Sequence, residues 1–200
     1  FEARTDRPAR VALVGLGGGL TAQAVARHET ASFDVYELES EVALAAERFR
    51  EAGGGLPKRA TLHIGDGRRA IVEGTGRLDV ISSDPIHPAV AGSGYLYSLE
   101  YWKASIARLS PEGLLVSWLP LYQMHVEELR LALRTFGEAV PFPYVFLVGG
   151  DAILVGSPTP LALDAARLAR ALESDAGAEL RAFGLGRPGR LLGLLALDPN

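Results

Sequence analysis

The stretch Val11-Ala12-Leu13-Val14, ended by Gly15-Leu16-Gly17-Gly18-Gly19, constrains the fold of this chain more than any other. Four apolar residues without polar alternation predict a strand covered on both faces, the environment of a parallel sheet flanked by helices. Glycines directly after it let the backbone turn tightly and admit a ligand without a Cβ in the way. The chain then repeats this alternation. Strands are predicted over 11–14, 33–38, 60–64, 78–83 and 114–119, separated by helices over 21–28, 41–51, 68–72, 99–109 and 126–136. Segments 144–148 and 152–155, joined by Gly149-Gly150-Asp151, read as a β-hairpin. The expected architecture is α/β: a mostly parallel seven-stranded sheet flanked by helices, with an antiparallel C-terminal hairpin. A further amphipathic helix is predicted over 161–172, whereas 191–197 follows a Gly/Pro/Arg-rich stretch and fits no element by pattern. The cluster Gly53-Gly54-Gly55-Leu56-Pro57 reads as a helix breaker.

Composition narrows the function classes. A chain of 200 residues, 48% hydrophobic and 22% charged, is long enough for one self-sufficient core. The absence of cysteine excludes disulfides, thiolate metal sites and cysteine nucleophiles. A net charge of −4 with interspersed signs argues against nucleic acid as a partner. No apolar run reaches the roughly 18 residues of a membrane span. The expected organisation is a leading segment over 1–10, a ligand-binding α/β domain over 11–158 and a helical tail over 159–200. The chain opens on Phe1, as expected of a piece of a longer protein.

Acids punctuate the strand ends. Glu37 ends the second predicted strand, about 20 residues past the glycine loop, where an acid accepts ribose hydroxyls in dinucleotide-binding folds. Asp66, in Gly65-Asp66-Gly67, follows the third strand; its carboxylate suits an adenine amino group, Gly67 leaves room for the base, and Asp66 equally suits a helix cap. Asp84 follows the fourth strand. Three acids at the carboxyl ends of consecutive strands lie on the edge where open α/β sheets bind ligands. The spacing G-x-G-x-G, with Leu20 where a dinucleotide fingerprint needs its third glycine, disfavours a nicotinamide dehydrogenase.

That loop resembles motif I of class I S-adenosylmethionine-dependent transferases. With the later motifs, the chain resembles the spermidine/spermine synthase family of aminopropyltransferases from Val11 to about Pro158. The family patterns G-G-G-D-G-G, V-E-I-D, G-D-G and D-V-I-x-x-D have counterparts in Gly15 to Leu20, Tyr36-Glu37-Leu38-Glu39, Gly65-Asp66-Gly67 and Asp79-Val80-Ile81-Ser82-Ser83-Asp84. Leu96-Tyr97 and Gly113-Leu114-Leu115-Val116-Ser117 match the later pair and strand. The resemblance implies a class I methyltransferase-like fold and a donor that is S-adenosylmethionine or its decarboxylated form, without a metal. It also implies a small-molecule amine or polyamine acceptor, with a homodimer allowed. By the same resemblance Gly15, Gly17, Gly19, Glu37, Asp66 and Gly67 bind the donor. Asp84 helps deprotonate the attacking amine, which displaces methylthioadenosine from the propyl carbon.

The departures fall on the amine side. Gly18 replaces the loop acid, His87 stands where the second acid of the Asp84 loop belongs, and Ser117-Trp118 replaces a glutamine. The small N-terminal β-domain has no counterpart. The loop from Pro85 to Tyr97 is similar to that of relatives tethered to membrane-spanning, transporter-like segments, which implies a cytoplasmic domain of a membrane protein. His87 is a candidate catalytic base or orienting group. Tyr95, Tyr97 and Trp118 are candidate substrate-lining residues, with packing the competing role for the tyrosines. Trp102 is expected in the core and Arg68-Arg69 in solvent. His28, His63 and His125 lack metal-ligand spacing. The competing functions are a methyltransferase or S-adenosylmethionine-cleaving enzyme of the same fold, and a non-catalytic adenosyl-ligand sensor.

Overall fold

The structure, a computed structural model, describes residues 1–2, 4–84, 88, 90, 92–122 and 124–199. The strands are β1 (Ala9–Val14), β2 (Thr30–Glu37), β3 (Thr61–Ile64), β4 (Leu78–Ser83), β5 (Leu109–Pro120), β6 (Phe142–Val148), β7 (Asp151–Ser157) and β8 (Leu195–Leu197). The helices are α1 (Leu20–Val25), α2 (Ser40–Ala46), α3 (Gly67–Glu73), α4 (Leu99–Arg108), α5 (Val126–Ala139), α6 (Ala165–Glu173), α7 (Ala178–Ala182) and α8 (Pro188–Leu192). The sheet runs β3-β2-β1-β4-β5-β7-β6-β8. Strands β1 to β5 are parallel, and β7, β6 and β8 pair antiparallel.

Alternation along β1 divides the core in two. Ala12 and Val14 face α3, α4 and α5, where they join Ile71, Trp102 and Phe136. Val11 and Leu13 face the other way, against Phe33, Val35, Ala22 of α1 and Ala46 of α2. Both faces are covered, so the strand needs no polar positions. Trp102 is fully buried, as expected, with its ring edge-on to Phe136 at 5.0 Å.

The sheet has eight strands rather than the expected seven, and the tail is not wholly helical. Leu195–Leu197 pairs with β6 and closes the edge of the hairpin. Three residues carry too little periodicity to announce a strand, and a free neighbouring edge decides the pairing. The leading residues are anchored too. Arg4 reaches Ser157 at 2.9 Å and Thr159 at 2.8 Å, and Arg7 reaches Asp79 at 2.7 Å. Among the described residues no helix is long and apolar enough to cross a membrane.

Strand order reverses at β1. The chain steps outward through β2 and β3, then returns to the other side of β1 with β4. The carboxyl ends of β1 and β4 thus flank a topological switch point, the place where open α/β sheets leave a crevice.

Candidate active site

The glycine loop leaves β1 at this switch point. Gly15, Gly17 and Gly19 all have positive φ, at 94°, 52° and 82°. Gly19 is doubly constrained, since a Cβ there would lie 2.4 Å from the Gly55 carbonyl oxygen. The cluster expected only to break a helix therefore has a second task. Gly55 N–H donates to the Gly18 carbonyl at 2.9 Å, and the Gln23 amide donates to the Gly54 and Gly55 carbonyls at 3.3 and 3.1 Å. Nothing in the spacing of the two glycine groups announces that they stack on each other.

Glu37 is buried at the end of β2 and turned into the loop. One carboxylate oxygen accepts from Leu16 N–H at 2.9 Å, and the other from Glu39 N–H at 3.1 Å. The first oxygen, Oε2, also accepts from Gly17 N–H at 3.4 Å, so Oε1 is the one that keeps acceptor capacity for a further donor. Glu39 itself is exposed. Asp66 caps α3, its Oδ1 accepting from Arg68 N–H at 2.9 Å and Arg69 N–H at 3.2 Å. It is exposed, and the cap leaves Oδ2 free of the helix. Gly67 is buried, and a Cβ there would meet Val14 and Tyr36 side chains at 2.8 and 2.9 Å. Its bareness is thus required by the seating of α3 on the sheet.

Asp84 follows β4. Its N–H donates to the Val14 carbonyl at 3.0 Å, which extends the β1–β4 ladder by one bond. Its exposed carboxylate accepts from Thr21 Oγ1 at 2.5 Å. Beneath it, Ser83 is buried and bonded to the fully buried Tyr101 hydroxyl at 2.6 Å. Burial pushes the Tyr101 phenol up to about 12.

The aromatic candidates separate. Tyr95 is exposed and lies 5.4 Å from the Arg68 guanidinium, so the loop after β4 meets the start of α3 across the crevice. Arg68 was expected in solvent; it is half-buried against this ring, while Arg69 pairs with Glu73 at 2.8 Å. Tyr97 is buried, and its hydroxyl donates to the Trp118 carbonyl at 3.0 Å. Burial and the nearby Asp84 charge hold its phenol well above the usual range, so it remains a neutral donor. The Trp118 ring is half-buried, on the sheet face opposite Leu115 and Leu119, and lies 6.3 Å from Tyr122. His87 lies outside the described residues.

Two cavities differ in what lines them. One of about 330 Å³ lies at the amino ends of β1 and β2, beneath Leu168 and Leu172 of α6, away from the three acids. The other, of about 400 Å³, is bounded by Tyr97, Ser98, Leu119, Met124, Glu128 and Leu131, beside the carboxyl end of β5. None of the three acids lines either cavity, but the Asp84 charge acts on Tyr97, which bounds the second. His28 and His63 pair with Glu2 and Asp34, and among the described residues no group of three or more His, Asp or Glu could hold a metal ion.

No protein-family model matches the chain. It is 33% identical over 167 residues to the polyamine aminopropyltransferase of Pyrococcus abyssi, covering 74% of this chain and 58% of that protein. It is also 33% identical over 136 residues to the spermidine synthase of Dictyostelium discoideum, covering 64% of this chain and 46% of that protein. The chain thus spans about half the length of these relatives. Among solved structures, a spermidine synthase in complex with the transition-state analogue AdoDATO superposes with a TM-score of 0.76 at 19% identity, covering 96% of this chain and 71% of that one. Human methyltransferase-like protein 13 in complex with SAH gives 0.67 at 21% identity, covering 88% and 83%. By sequence the chain is a homologue of the spermidine synthases and polyamine aminopropyltransferases, and by structure it has the class I methyltransferase-like α/β fold.

Proposed function

We propose that this chain is a transferase that moves an aminopropyl group from decarboxylated S-adenosylmethionine to an amine and releases methylthioadenosine. One observation carries the reading: Glu37, Asp66 and Asp84 stand at the carboxyl ends of three strands around the glycine loop, one buried and two exposed. Glu37 accepts a ribose hydroxyl with the Oε1 lone pair that Glu39 N–H leaves free. Asp66 accepts the adenine amino group through the oxygen its helix cap does not use. The acceptor arrives as an ammonium ion, and Asp84 takes one of its protons. The freed nitrogen lone pair forms the new C–N bond as the C–S bond breaks, and its electrons neutralise the sulfonium. General-base help of this kind contributes about 10²–10⁴-fold. The cavity beside Tyr97 accommodates the acceptor's hydrocarbon segment. The similarity of the loop after Asp84 to that of membrane-tethered relatives supports a cytoplasmic domain carried by a larger protein.

Methyl transfer from S-adenosylmethionine is a second reading, and one observation favours it. The direction a side chain would take from Gly18 leads to the Phe49 ring at 3.6 Å, so the loop offers an aromatic wall where the family has an acid. A donor tail ending in a bare ammonium lacks a counter-charge there.

Mass spectrometry of the protein incubated with either donor, with and without a panel of diamines and polyamines, separates the two. Methylthioadenosine formed only with the decarboxylated donor plus an amine is the expected result. S-adenosylhomocysteine from S-adenosylmethionine establishes the second reading, and neither product from any pair defeats both.

A further inference from the structure

We infer that Thr21 is a positioning residue for the proton-accepting step: its hydroxyl fixes the Asp84 carboxylate and couples that group to the donor-binding loop. The inference rests on the proposed role of Asp84. Thr21 stands in the first turn of α1, two residues beyond Gly19, and Asp84 is the first residue past β4, 63 positions away in sequence. Their contact at 2.5 Å is a charge-assisted O–H···O bond at the short end of the usual range. The Asp84 backbone is held by the ladder bond to Val14, and among the described residues its exposed carboxylate is held by Thr21 alone.

The bond has a directional consequence. Thr21 takes one lone pair of Oδ2, so among the described residues Oδ1 is the more open oxygen for a proton from an incoming ammonium ion. Thr21 belongs to the turn that Gly19 begins and that Gly54 and Gly55 brace, so the loop holding the donor also sets the direction of the carboxylate. An amine activated by Oδ1 is thereby aligned with the donor's reacting carbon, and loss of such alignment costs up to about 100-fold in rate. Serine retains the hydroxyl, while valine keeps the shape and removes the bond.

The test compares Thr21→Val, Thr21→Ser and the unaltered chain with decarboxylated S-adenosylmethionine and its best amine acceptor. Methylthioadenosine affinity is measured alongside by calorimetry. The expected result is a fall in kcat of about 10–100-fold for Thr21→Val. Its methylthioadenosine Kd should stay within about twofold, and Thr21→Ser should recover most of the rate. Unchanged kcat in Thr21→Val overturns the inference, as does a loss of methylthioadenosine binding that parallels the rate or a failure of serine to rescue. Absence of turnover in the unaltered chain is a different failure: it removes the proposed reaction, and this inference with it.

Discussion

Strand β4 carries an aspartate near each end, and the two have opposite fates. Asp79, near the amino end, has a fully buried side chain. It accepts from the Arg7 guanidinium at 2.7 Å, Ser110 Oγ at 2.7 Å, and Arg10 N–H and Nε–H at 2.9 and 3.2 Å. Asp84, just past the carboxyl end, is exposed and among the described residues meets a single hydroxyl. A carboxylate whose lone pairs are all engaged holds the fold together, whereas one with an oxygen free can take a proton or a ligand. The same residue type on one strand becomes structural or chemical according to how completely its neighbours satisfy it.

Breaking the chemical end comes first. Asp84→Asn is expected to lower turnover by about 10²–10⁴-fold, with methylthioadenosine binding and thermal unfolding unchanged. Turnover near the original level would remove Asp84 from the reaction. The structural end should respond the other way. Asp79→Ala leaves two arginines without their buried partner and should cost about 3 kcal/mol, the low end for such a pair because both guanidinium groups are partly exposed. For a chain of this size that lowers Tm by roughly 6–12 °C. Kinetics of the folded fraction should be retained.

Acid sharpens the same contrast. Burial alone would raise the Asp79 pKa, but the bonds from Arg7, Ser110 and Arg10 outweigh it and hold the carboxyl well below the usual range. The unfolded chain therefore binds this proton more readily than the folded one. The stabilisation is complete above about pH 4 and drains as pH falls further. Denaturant titrations at pH 7 and pH 3 should show the stability gap between the unaltered protein and Asp79→Asn narrowing at the lower pH; a constant gap would contradict the assignment.

Smaller effects separate the donor-side acids from their neighbours. Glu37→Ala should weaken methylthioadenosine binding about tenfold or more, because the N–H groups of Leu16, Gly17 and Glu39 lose a charged acceptor along with the ribose. Glu39→Ala, on an exposed carboxylate, should change it less than about twofold. Equal losses at both positions would dismiss the ribose role. Arg68→Ala releases Tyr95 and should cost less than Glu37→Ala, about two- to fivefold in the same affinity, in keeping with a cation–π contact at an exposed site.

What was legible in the sequence followed from short-range rules. An apolar run without alternation has to be a covered strand, glycines after it have to turn, and acids placed just past strands have to fall on one edge of the sheet. Those rules located β1 through β7 and brought Glu37, Asp66 and Asp84 to a common rim. The contacts they missed join segments distant in sequence. The Asp79 clamp draws on Arg7, Arg10 and Ser110, and the glycine loop is braced by Gly54 and Gly55. Gly67 is bare because of helix packing, and its spacing after Asp66 had suggested only room for a base.

The amino-acid sequence by itself thus determined which residue types stand at which strand ends, because strand and turn formation depend on the nearest few side chains. Only the tertiary structure decided which of those groups are satisfied and which remain open. A hydrogen bond such as that between Thr21 and Asp84 depends on a separation set by two strands and a helix packing together, and no local pattern encodes that distance. The eighth strand is the same lesson in the backbone: Leu195–Leu197 is a strand because β6 offers an unpaired edge there.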